Sequence, residues 1–169
     1  MKQRSILWQA AGFALVTFGG TILHFLYDWT GGNILVSPFS GVNESTWEHM
    51  KLCFFPMLIY SCFMNKRWKD AYPCVTSALL YGTLLGTFLI PVIFYTYTGI
   101  IGRNYLFLDI ATFVISVLLA FLCVYRLTVS CKMFSHTFLL GSLVFVMAIC
   151  FLLFTYLPPN LGIFIEPSL

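Results

Sequence analysis

The sequence predicts an all-α integral membrane protein, a bundle of five transmembrane helices. Three observations carry this. Hydrophobic residues make up 60% of the 169 and charged residues only 9%, against roughly 45–50% apolar and about 25% charged in a soluble domain. Mean hydropathy is +0.90. The apolar residues gather into five runs, each long enough at ~20 residues to cross a bilayer core, with no room left for a soluble domain. Nine Lys+Arg against six Asp+Glu cannot make a basic face, and eighteen Phe with nine Tyr exclude a disordered chain. Nucleic acid is therefore not a partner; the lipid bilayer is, with a lipid or small molecule as ligand.

The first run, residues 6–27, follows Met1-Lys2-Gln3-Arg4. No A-x-A site follows it, so it reads as a retained span rather than a signal peptide. Thr30-Gly31-Gly32-Asn33, Ser37-Pro38 and Ser40-Gly41 then break the helix. The second segment, 43–64, starts at Asn43 as N-cap and is polar in its first half, so its alternative is a helix lying on the membrane surface beside four spans. The third, 71–95, carries Pro73 in its first turn and Pro91 near its far end. The fourth and fifth occupy 105–126 and 135–156, the last stopped by Pro158-Pro159.

Lysine and arginine set the orientation. With the N-terminus in the cytoplasm, Lys2, Arg4, Lys66, Arg67, Lys69, Arg126 and Lys132 lie inside, Arg103 alone lies outside and Lys51 is left in the membrane. The positive-inside rule thus places a multi-pass protein in the cell's inner (plasma) membrane with its C-terminus outside. The six cysteines sit in or beside apolar runs without a CxxC and read as small hydrophobes, not as disulfides or a zinc cage. Gly82-x-x-x-Gly86 in the third span and Gly12, Gly19 and Gly20 in the first read as sites of close helix approach.

Ionisable groups inside a bilayer persist only where partnered or used. Helix rise alone puts His24 ~27 Å, Glu48 ~24 Å, Lys51 ~20 Å and Asp109 ~26 Å from the inner boundary of their spans, all toward the outer surface. At 100° per residue, Glu44, Glu48 and Lys51 share a face within about 60°, while His49 points roughly 140° from Glu44. His24 and Asp28 stand one turn apart. Two carboxylates at i and i+4 need relief, from a shared proton, the ammonium of Lys51, the imidazoles of His24 or His49, or a bound cation, and the source implies the function. A zinc or manganese ion held by His24, Asp28, Glu44, Glu48 and Asp109 implies an enzyme whose activated water attacks a lipid or peptide bond at the outer leaflet. In that enzyme Glu44, Glu48, His24 and Asp109 are metal ligands or acid–base groups, and Lys51 stabilises an anion. A shared proton implies a proton-coupled small-molecule or ion carrier acting through Glu48 and Asp109. Pairing with Lys51 implies a structural ion-pair network in an accessory subunit that docks through Gly82 and Gly86. Pro56 is expected to free the carbonyl of Leu52 toward this pocket. No HExxH, GxSxG, P-loop or GxGxxG is present to decide among these.

The stretch His24-Phe25-Leu26-Tyr27-Asp28-Trp29, the segment Val42-Asn43-Glu44-Ser45-Thr46-Trp47-Glu48-His49-Met50-Lys51 and Phe55-Pro56 together resemble a family of small, uncharacterised bacterial membrane proteins. That family is marked by an N-E-S-x-W-E-H-x-K segment. The resemblance covers mainly the first 60 residues and implies a bacterial, polytopic inner-membrane protein, with no activity or substrate attached.

Overall fold

The computed structural model describes residues 2–167, and side chains over residues 6–167. The Lys2 and Arg4 side chains used in the orientation argument lie outside the described ones. The architecture is all-helical: α1 (Lys2–Trp29), α2 (Thr46–Trp68), α3 (Val75–Ile101), α4 (Leu106–Ser130) and α5 (Thr137–Tyr156), with 3-10 turns at Phe134–His136 and Gly162–Phe164. Four segments, Ile6–Trp29, Val75–Ile101, Leu106–Ser130 and Phe134–Tyr156, are long and apolar enough to cross a membrane. The fifth helix, α2, is not. It carries Glu48, Lys51, Lys66 and Arg67.

Yet α2 is the centre of the bundle rather than a helix on its surface. Thirteen of its 23 residues are buried, more than on α3, α4 or α5. It packs against α1 and α3, α3 packs on α4 and α5, and α1 also meets α4. Neighbours run antiparallel: Gly12 approaches Tyr60 while Gly20 approaches Leu52, and Trp47 at the start of α2 stacks near Phe151 and Phe154 at the end of α5. Protein therefore surrounds the polar half of α2, which is how charged groups persist in a largely apolar bundle. Large apolar side chains face outward on the other helices and on the second half of α2, as with Phe138 at 88% exposure, Phe18 at 68% and Ile59 at 70%.

Two backbone details fix the packing. Pro56 has no N–H to give Leu52, and the freed carbonyl lies 2.6 Å from where a Gly20 Cβ would stand, so only glycine admits this approach of α1 to α2. Gly102, at φ 84, ends α3 with its N–H on Thr98 O. Gly82 and Gly86 lie against Val124, Ala120 and Cys53. They serve contact within the bundle, which removes them as the docking surface expected of an accessory subunit.

The reading of the cysteines needs correction as well. Cys53 is buried and unpaired as expected, but Cys74 and Cys131 form a disulfide with Cα atoms 5.3 Å apart. Flanking apolar sequence hid this, because the pairing depends on the α3 start meeting the α4 end. The bond sits at the end bearing Lys66, Arg67, Lys69, Arg126 and Lys132. Basic loops point to the cytoplasm and disulfides to an oxidising compartment, so these two markers of sidedness disagree. The bond closes a separation of 57 residues, for which chain entropy gives about 4 kcal/mol of stabilisation. Dithiothreitol or Cys74→Ser is thus expected to lower the thermal midpoint in detergent clearly, and an unchanged midpoint with a free-thiol count of six would show that the bond does not form.

Candidate functional site

The loop between α1 and α2 builds the site. Ser40 closes it onto the α1 end: its Oγ accepts from Tyr27 N–H at 3.0 Å and donates to Leu23 O. Tyr156 OH reaches from α5 to Ile34 O at 2.7 Å. The approach to α2 is an Asx turn, with Ser45 N–H on Asn43 Oδ1 at 2.9 Å, followed by Ser45 itself as N-cap. Ser45-x-x-Glu48 has the form of a capping box, but Glu48 reaches past Ser45 and accepts from Val42 N–H at 2.9 Å.

That bond belongs to a buried ion pair. Glu48 Oε2 stands 2.5 Å from Lys51 Nζ, and the lysine has no exposed side-chain surface. The ammonium also donates to Ser37 O at 2.9 Å and to Thr155 Oγ1 at 3.0 Å. With its donors used, Lys51 ties the loop, α2 and α5 together.

Glu44 takes a different course. Helix α2 begins at Thr46, so Glu44 precedes the cap and is free of the helical register assumed for it. Its carboxylate lies between two imidazoles, with His24 Nε2 3.8 Å from Oε1 and His49 Nε2 3.5 Å from Oε2. The two rings are 5.4 Å apart. The donor atoms of His24, Glu44 and His49 all lie within 4.8 Å of one another, and they are the group of three able to hold a metal among the described residues. Of the expected ligand set, His24 and Glu44 stand in this group, and His49 stands with them because the helical-wheel angle from Glu44 does not apply. Glu48 is taken by Lys51, Asp28 lies a turn closer to the end of α1, and Asp109 belongs to a neighbouring network.

The three groups sit at one end of a cavity of about 570 Å³ between α1, α2, α3, α4 and the C-terminal tail. Its walls are apolar, from Phe25, Leu52, Ile90, Phe94, Ile110 and Phe113. Its polar lining is His24, Glu44, His49, Asn104, Asp109 and Glu166, together with threonines. Asp109 stands in the first turn of α4, where the helix dipole favours a carboxylate. It accepts from Tyr97 OH, and from Asn104 Nδ2 at 3.4 Å. Glu166 arrives on the tail, its Oε1 accepting from Glu44 N–H at 3.4 Å. The tail is held because Trp47 packs on Phe164, with ring centroids 4.7 Å apart.

Of the expected residues, the structure thus brings His24, Glu44 and Asp109 to one cavity and gives Glu48 and Lys51 to an ion pair. His49, Asn104 and Glu166 were missed as members. The available signals were the density of ionisable groups in Glu44-Ser45-Thr46-Trp47-Glu48-His49 and a lone carboxylate in an otherwise apolar tail.

Fold and site together define a helical bundle of membrane-crossing dimensions with a two-histidine, one-carboxylate group at the mouth of an apolar cavity. The chain belongs to the family of unknown function DUF6512, whose profile matches residues 1–168. No curated protein and no solved structure matches it.

Removing one partner strands a buried charge, which costs about 3–5 kcal/mol. Lys51→Met and Glu48→Gln are each expected to lose that much in denaturant unfolding, and Lys51→Met combined with Glu48→Leu to recover part of it. Single variants as stable as the wild type would contradict the buried pair.

Proposed function

We propose that this is a membrane enzyme that hydrolyses an amphiphile, with the apolar chain lying along the cavity and the labile bond at His24, Glu44 and His49. One observation carries the reading: a carboxylate and two imidazoles converge at the polar end of an otherwise apolar cavity. The cavity volume falls in the range of about 300–1,000 Å³ typical of small-molecule sites. Apolar walls suit an acyl chain, and Glu44, exposed over 66% of its side chain, gives water a route to the reacting end. In the hydrolysis a water oxygen bonds to the acyl carbon, the acyl–heteroatom bond breaks, and the leaving heteroatom takes a proton. Glu44 and the imidazoles are placed to accept and return that proton.

Four apolar helices of crossing length support integration in a membrane. The basic loops support a cytoplasmic N-terminus with the cavity toward the outer leaflet, and the resemblance of the His24–Trp29 and Val42–Lys51 stretches supports a bacterial inner membrane. A carrier using Glu48 and Asp109 has less support: the first is held by Lys51, and the second by Tyr97 and Asn104.

Proteoliposomes made with a bacterial polar-lipid extract should release free fatty acid, measured by mass spectrometry. Glu44→Ala is expected to slow the release by about 100-fold or more, the usual scale of a lost acid–base group. Ile110→Trp, which fills the cavity from an exposed position, should also block it. No release by the wild type, or equal release by Glu44→Ala, would sink this reading.

A further inference from the structure

We infer that His24, Glu44 and His49 bind a divalent transition-metal cation of the zinc type, with the cavity at its open coordination position. The inference rests on reading this cavity as the working site, and it is carried by the convergence of the three donor atoms and the tautomer of His49.

His49 Nδ1 lies 2.9 Å from Ser45 O. A carbonyl oxygen only accepts, so Nδ1 bears the hydrogen and the neutral ring has a bare Nε2. This Nε2 lies 3.5 Å from Glu44 Oε2, and His24 Nε2 lies 3.8 Å from Oε1. Both separations exceed the ~2.7–3.2 Å of a made N–H···O bond. They approach the ligand–ligand edge of a tetrahedral zinc site, which is about 3.4 Å for bonds of about 2.0–2.2 Å. A cation between the three groups would take all three as ligands. Even the widest donor spacing, up to 4.8 Å, closes by side-chain rotation of about 1.4 Å to reach that edge.

The surroundings hold the donors in place. The Nδ1–H bond to Ser45 O is the outer-shell contact that typically fixes the tautomer of a metal-ligating histidine. Gly41 packs against His24, where a Cβ would lie 3.5 Å from Nδ1. The three ligands come from α1, the loop and α2, so the cation would join segments that the Lys51 ion pair already brings together. Charge is an independent indication. Glu44, Asp109 and Glu166 line the cavity, and among the described residues no Lys or Arg does. Two imidazoles with one carboxylate favour zinc over the oxygen-rich sets of magnesium or calcium. Three protein ligands and an open fourth position are the arrangement of catalytic rather than structural zinc sites. A cation so held would supply Lewis acidity and an activated water; Glu44 and the imidazoles would then serve as its ligands, and Glu166, on the tail at the same end, as the carboxylate that accepts the proton.

The test uses the full-length protein purified in detergent, stripped with chelator and titrated with zinc by calorimetry. One zinc per chain is expected, with His24→Ala, His49→Ala and Glu44→Gln each weakening binding by more than about tenfold. Asp28→Asn and Asp109→Asn should leave it unchanged. X-ray absorption should show a nitrogen and oxygen shell without sulfur. His24 and His49 are partly exposed, and a thermal midpoint of the metal-free variants equal to that of the metal-free wild type separates lost ligands from lost fold. No binding by the wild type, sulfur in the zinc shell, or equal affinity in folded variants would overturn the inference. Zinc bound at these residues without lipid release would defeat the hydrolase reading alone. Lipid release by fully stripped protein would defeat a metal role in catalysis and the inference with it, leaving the hydrolase reading intact.

Discussion

The buried ammonium of Lys51 is the constraint around which the rest of the site is arranged. A charge without exposed surface persists only if its desolvation is offset by charge and hydrogen bonds. Lys51 obtains these from Glu48 on its own helix, from Ser37 O in the preceding loop and from Thr155 on α5. Glu48 also holds the Val42 N–H. One pair thereby fixes the loop at two points and anchors it to the far helix. Its contribution is position more than stability, since an apolar pair of equal volume can be as stable.

With the loop held, Glu44 cannot wander far from the α2 N-terminus, and the Asx turn and Ser45 cap determine where its chain enters the helix. The close approach of Gly20 to Leu52 O brings α1 near enough for His24 to meet the carboxylate from the opposite side. Trp47, between Phe151, Phe154 and Phe164, then folds the tail back over the mouth and delivers Glu166. An apolar chamber with a polar end follows from these contacts. The polar end lies opposite the Cys74–Cys131 bond, which ties the start of α3 to the end of α4.

Much of this was legible in the sequence, for physical reasons that also explain what was not. Apolar runs of membrane length and the breaks at Gly31-Gly32 and Pro158-Pro159 marked the helical class, and Pro56 announced a free carbonyl at Leu52. Helix rise alone brought His24, Glu48, Lys51 and Asp109 to a common level. The errors arose where local register was assumed. Treating Glu44 as helical put His49 on the wrong side, because a residue before an N-cap has its own φ and ψ. Of the sources of relief open to Glu48, the ammonium of Lys51 one turn away is the one that holds it, which helical spacing permits but does not by itself select. Glu166 and the cysteine pair depend on contacts between residues far apart in the chain, which periodicity does not encode.

Loop and helix converge to set the Glu44 carboxylate against His49. Magic-angle-spinning NMR in lipid bilayers tests it directly, through dipolar dephasing between ¹⁵Nε2 of His49 and ¹³Cδ of Glu44. A strong coupling is expected, corresponding to the 3.5 Å contact between Nε2 and Oε2, that weakens in Lys51→Met as the loop is released. No measurable coupling in the wild type would contradict it.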